Sequence, residues 1–180
     1  VPFHVLATQN PIEQEGTYVL PEAQADRFMF CLNTTYPSLS DEERVVRETT
    51  GTTQALIKPV ITGPELIEAQ NLVRSVPVSD EVIAYAVRLV SRTRPETAEA
   101  PAYIREFVRW GASPRASQFL VLGAKARAAT TRKLCADDEG IRHVARQVLR
   151  HRINPNFNAR AQKVTVESLI DRLLKDVPVR

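Results

Sequence analysis

HVLATQNPIEQEGTYVLPEAQADRF, residues 4–28, decides the fold. An apolar run from Phe3 to Ala7 stops in Thr8, Gln9, Asn10 and Pro11. After a loop, Pro21 opens a short helical turn that closes at Asp26 and Arg27, and a second apolar run, Phe28 to Leu32, follows at once. Short β-branched and aromatic runs separated by a helix predict strands of a parallel α/β sheet. Ligands of such sheets gather outside the carboxyl ends of the strands, which is where this reading puts Asn10.

Beyond Leu32 the segment NTTYPSLSDEERVVRETTG reads as a turn and then a helix. Ser40 and Glu43 have capping-box spacing, and Gly51 closes the helix. From Thr52 to Val60 the pattern loses its period and reads as a connector. Every later segment has helical spacing. Leu66, Ile67, Gln70 and Val73 follow Pro64; Val82, Ile83, Ala86, Val87 and Val90 follow Ser79 and Asp80. A shorter piece carries Tyr103, Ile104, Phe107 and Val108 and ends at Gly111. The next runs from Ser113-Pro114 to Ala129. Another follows Asp137 and Asp138 with Ile141, Val144, Ala145, Val148 and Leu149 on one face. The last follows Thr165, with Val166, Leu169, Ile170, Leu173 and Leu174 in helical register. The fold class is therefore α/β followed by all-α, with residues 1–58 in the α/β part and 59–180 in a helical bundle.

Composition is that of an ordinary globular protein, 43% hydrophobic and 25% charged. No run is long and apolar enough for a membrane helix, and no signal-peptide order appears. The chain opens on Val1 and enters a strand almost immediately, which suggests a partial chain. A net charge of +3 does not by itself imply a nucleic-acid partner. Of the 24 cations 19 are Arg, a bias that suits carboxylate or phosphate pairing and equally follows from codon usage. Cys31 and Cys135 form no CxxC, which argues for a reducing compartment, the cytoplasm, and against structural zinc.

Three polar residues carry candidate chemistry. Asn10 offers a donor and an acceptor at a strand tip, enough to hold a water and touch a phosphate oxygen; Asn-Pro also simply ends strands. Arg27, held after a helical turn, can present a donor fork to a neighbouring subunit, or it can complement the helix dipole or pair with Asp26 or Glu22. Arg115 falls in the first turn of a helix with Ser113 as N-cap and Pro114 at N1. Free N–H groups, the dipole and a guanidinium converge there on an anion site, although a capped surface helix with a solvated Arg has the same sequence.

ATQNP, GTYVLPEAQADRF and GASPRA, in that order, resemble sensor 1, the arginine-finger segment and sensor 2 of the MoxR family of AAA+ ATPases. The family's pattern GTYPLPEAQLDRF differs at Val19 and Ala25, both packing positions. The resemblance implies that the chain is the end of an AAA+ core followed by its helical lid. It implies that Asn10 aligns the attacking water, Arg27 reaches a neighbour's ATP and Arg115 reads a phosphate, with ATP and Mg²⁺ as cofactors. A homo-oligomeric ring, expected to be a hexamer, is implied too, with chaperone-like maturation of clients beside von Willebrand A-domain partners. Two alternatives stay open: a non-enzymatic assembly or binding module, and a helicase-like relative acting on nucleic acid.

No glycine starts G-x-x-x-x-G-K-[ST], and no apolar run ends in the acidic pair that organises Mg²⁺. The 180 residues alone are therefore expected to be inactive, with no metal ligands of their own. In the sheet order the resemblance implies, the strands at Phe3–Ala7 and Phe28–Leu32 flank an absent strand and are left with unpaired edges. Arg142, Arg146 and Arg150 recur as a stripe, with Arg152 beyond it, that suits an acidic partner or nucleic acid, and more simply a solvated face. Glu13, Glu15 and Glu22 offer partners for cations across a subunit boundary. His143 and His151 are too far apart to chelate, and Trp110 reads as a packing anchor beside Gly111.

Overall fold

The computed structural model describes residues 3–9, 20–52 and 57–179. Helices dominate them: α1 (Glu22–Ala25), α2 (Leu39–Thr49), α3 (Gly63–Ser75), α4 (Asp80–Ser91), α5 (Ala102–Phe107), α6 (Pro114–Thr130), α7 (Asp138–Leu149), α8 (Phe157–Ala161) and α9 (Val166–Asp176). One small antiparallel ribbon joins β1 (Val108–Trp110) to β2 (Asn154–Pro155), pairing Val108 with Pro155 and Trp110 with Asn154.

Side-chain caps set the helix starts. Ser79, Ser113, Asp137 and Thr165 each accept a backbone N–H from the first turn of α4, α6, α7 and α9. At α3 Thr62 and Glu65 close a reciprocal capping box that the sequence reading did not identify. At α2 the cap is Ser38, bonded to Asp41 N–H, and not the Ser40–Glu43 pair. Ser38 precedes the first helical residue in extended backbone, where a hydroxyl can reach back over the opening turn.

Among the described residues, every buried side chain lies at or beyond Val82. Tyr85, Leu89 and Val90 of α4, Leu120 of α6, Ile141, Val148 and Leu149 of α7, and Ile170 and Leu173 of α9 are fully enclosed. The buried faces of α7 and α9 are those the periodicity predicts. On α4 the face is Val82, Tyr85, Ala86, Leu89 and Val90, whereas Ile83 and Val87 point outward. That helix is apolar nearly all round, so spacing alone fits two overlapping stripes.

The two runs expected as strands, Phe3–Ala7 and Phe28–Leu32, form no ladder among the described residues. A strand exists only with a hydrogen-bonding neighbour, and the sequence reading already left both edges unpaired. Phe28–Leu32 instead lies against the end of α7, where Cys31 N–H donates to Gln147 O at 2.9 Å. The third helix beyond residue 59, α5, also ends earlier than expected. Its last residues, Val108–Trp110, form β1 against a partner far along the chain.

Gly111, read as a helix terminator, meets a tighter constraint. A Cβ there would fall 2.3 Å from Thr93 O and 2.6 Å from its hydroxyl. Thr93 is fully buried; its hydroxyl donates to Val90 O at 2.6 Å and accepts Ala112 N–H at 2.9 Å. This contact pins the entry to α6 against the end of α4.

Candidate functional site

Ser113, Arg115 and Arg152 meet at the carboxylate of Asp26, just past α1 and next to Arg27. Ser113 Oγ donates to it, lying 2.9 Å from both oxygens. Arg115 Nη1 donates to Oδ2 at 2.8 Å, and Arg152 Nε to Oδ1 at 2.9 Å. Burial on its own raises the Asp26 pKa. The Ser113 and Arg152 hydrogen bonds, the Arg152 charge and the Arg115 bond outweigh it and hold the carboxyl below its ordinary range.

Arg115 enters this cluster through α6. Its backbone N–H is capped by Ser113 Oγ at 3.2 Å, and its side chain remains 42% exposed. Arg27 stands one residue beyond the hub and is exposed. Among the described residues no carboxylate pairs with it; Asp26 is taken by Arg115 and Arg152 instead. Asn10, Glu13 and Glu15 lie outside the described residues. Glu22 accepts a hydrogen bond from Asn154 Nδ2 within the chain. The structure thus brings Arg115 to within one residue of Arg27 and says nothing of Asn10.

The decisive residue that sequence reasoning missed is Arg152. Its side chain is 1% exposed and donates to five acceptors: Asp26 Oδ1, Asp26 O at 2.7 Å, Phe28 O at 2.5 Å, Met29 O at 3.4 Å and Val148 O. It also stacks 5.0 Å from the Phe119 ring centroid. In the sequence it looked like the tail of the arginine stripe. The only available signal was position: it follows α7 where the helical face has already ended.

The stripe itself is engaged by α9. Arg146 forms a two-bond pair with Asp171 at 2.8 and 2.9 Å, Arg142 donates to Leu174 O, and Arg150 lies 3.6 Å from Glu167. His151 Nε2 donates to Phe28 O at 3.1 Å, and burial, with the Arg152 charge behind it, lowers its pKa to about 4. A cleft of about 500 Å³ opens beside the hub, with Asp26, Trp110, Ser113, Arg152, Asn154 and Arg160 among its walls. Trp110 is partly exposed and covered by the Arg109 guanidinium 4.3 Å from its centroid, so it rims this cleft and is not a core anchor. No cluster of potential metal ligands occurs among the described residues, and no helix among them is long and apolar enough to cross a membrane.

Residues 1–30 match the model of the ATPase family associated with various cellular activities, and residues 100–173 match that of the AAA lid domain. The chaperone MoxR1 of Mycobacterium tuberculosis is 36% identical over 98% of this chain and 46% of its own length. The uncharacterized protein YeaC of Bacillus subtilis is 34% identical over 99% and 53%. A crystal structure of a Cytophaga hutchinsonii protein proposed to be an ATPase superposes with a TM-score of 0.91 at 35% identity, over 98% of this chain and 54% of that one. The chain spans about half the length of the relatives it matches. With both matched segments meeting at the Asp26–Ser113–Arg115 cluster, the chain belongs to the MoxR-type AAA+ ATPases.

Proposed function

We propose that this chain is the sensor and lid part of a ring-forming, cytoplasmic MoxR-type ATPase, expected to be hexameric, that couples ATP binding and hydrolysis to chaperone-like remodelling of client proteins. Residues 1–58 complete the core and 59–180 form the lid. von Willebrand A-domain proteins are the partner class the reading favours. The observation that carries it is the Asp26 carboxylate, which links the turn bearing Arg27 to the helix bearing Arg115.

The donors at the start of α6 suit a phosphate oxygen: a half-exposed guanidinium beside a capped helix N-terminus. When ATP is bound it supplies the transferable phosphoryl group. Arg115 orients a terminal phosphate oxygen through charge-assisted hydrogen bonds. Arg27, on a short turn tied down on one side, extends its fork of donors towards the adjacent protomer, where it stabilises charge developing in phosphoryl transfer. Asn10 holds the attacking water with one end of its amide and a phosphate oxygen with the other. The Mg²⁺ ligands are assigned to other parts of the intact protein, because no apolar run of this sequence ends in the acidic pair that organises the ion.

The test is ATP turnover by the intact protein. Arg27→Ala is expected to lower kcat by about 10³-fold or more with little change in KM, the scale of a lost arginine finger. Arg115→Ala should raise the Kd for ATP, and Asn10→Ala should lower kcat alone. Unchanged turnover in Arg27→Ala and Asn10→Ala would reject these roles.

A further inference from the structure

We propose that Asp26 and Arg152 are positioning residues that couple the two nucleotide-directed arginines, so that loss of Arg115 to a phosphate is registered at Arg27 through one shared carboxylate. This rests on the roles assigned to Arg27 and Arg115 above.

The two arginines that hold Asp26 are not equivalent. Arg152 is enclosed, and its planar fork binds the backbone on both sides of Arg27: Asp26 O at 2.7 Å, Phe28 O at 2.5 Å and Met29 O at 3.4 Å. It straps the arginine-finger turn to the end of α7. A lysine, with its donors at one point, could not span these acceptors. Arg115 makes a single bond to the carboxylate and is 42% exposed, so a phosphate can draw it away at little cost. Ser113 stands equidistant from both carboxylate oxygens and stays with Asp26 when Arg115 leaves.

Two consequences follow. While Arg115 rests on Asp26, the carboxylate competes with phosphate for that guanidinium. Once Arg115 departs, the carboxylate settles on Arg152 and Ser113 alone, and the change of partners passes to Arg27, the next residue of the same strapped turn. The lid's reading of the nucleotide in one protomer thereby sets the finger offered to the next.

The experiment measures turnover and binding of a fluorescent ATP analogue by the intact protein carrying Asp26→Ala in the wild-type, Arg27→Ala and Arg115→Ala backgrounds. In the wild-type background kcat should fall about a hundredfold, the scale of a misplaced reacting group. Binding should tighten, by at most about fivefold, the worth of one exposed ion pair. The kcat loss should vanish in the Arg27→Ala background, and the tightening should vanish in the Arg115→Ala background. A merely structural carboxylate would weaken binding and add its loss in every background, and that result overturns the proposal. If Asp26→Ala does not assemble, the near-isosteric Asp26→Asn is read by the same comparisons. Should Arg27→Ala and Arg115→Ala be silent, the assigned roles fall and the coupling falls with them. Should both be harmful while Asp26→Ala is additive with each, only the coupling falls.

Discussion

Gly111→Ala should damage the lid through backbone, not side-chain, collision. The added methyl would sit 2.3 Å from Thr93 O and 2.4 Å from its carbonyl carbon, against an ordinary contact of about 3.5 Å. The end of α4 and the entry to α6 must therefore part by about 1 Å. Overpacking of this kind costs about 1–3 kcal/mol. Parting also stretches the Ala112–Thr93 hydrogen bond, and a buried amide left without its acceptor adds about 1–3 kcal/mol. Stiffening of the unfolded chain returns about 0.4–1 kcal/mol. At the middle of these ranges the net loss is about 3 kcal/mol, or about 6–12 °C in Tm for a chain of this size. Thermal unfolding followed by circular dichroism measures it. Because the nearest atoms belong to the backbone, the double variant Gly111→Ala/Thr93→Ala should be no more stable than Gly111→Ala. A loss below about 0.5 kcal/mol, the range of an indifferent surface change, would refute the reasoning, as would rescue by Thr93→Ala.

Two further outcomes concern charge. His151 is held neutral with a pKa of about 4 against an ordinary 6.5, so the unfolded chain takes up the extra proton between those values. Stability should fall as pH drops from 6.5 towards 4 and then stop falling on this account; His151→Gln should show a shallower slope in denaturant titrations across that window. The Arg146–Asp171 pair has good two-bond geometry but is 54% and 38% exposed, so Arg146→Ala or Asp171→Ala should each cost less than about 1 kcal/mol, and less again in high salt.

The parts of this fold that were legible are those coded locally. Ser79, Ser113, Asp137 and Thr165 act within three residues of themselves, and each caps where the spacing predicts. Ile141 through Leu149 repeat with the helical period, and their face is buried. The ribbon was hidden because β1 and β2 are too short to show alternation, and Pro155 argues against a strand. At the site, Arg27 and Arg115 could be singled out because each lies in a motif. Their link could not, since Arg152 stands 126 positions from Asp26 and its burial arises only when α7 folds back on α6. Local pattern names candidates; only tertiary structure says which of them share an atom.

The contact between α6 and α7 has a consequence for that link. Added carbons at Gly123 and Gly140 would lie 3.0 Å from Val144 and 3.1 Å from Ala124, so the two rods run side by side with almost nothing between them. Such a seam resists sliding, because any axial slip drives a larger side chain into a space sized for hydrogen. Arg115 sits at the head of one rod and Arg152 just past the tail of the other, so their separation is gauged by small residues about a dozen ångströms away or more, at about 1.5 Å per residue along each axis. A bulky replacement at Gly140, touching neither guanidinium, would mis-set the gauge and loosen the grip of both on one carboxylate.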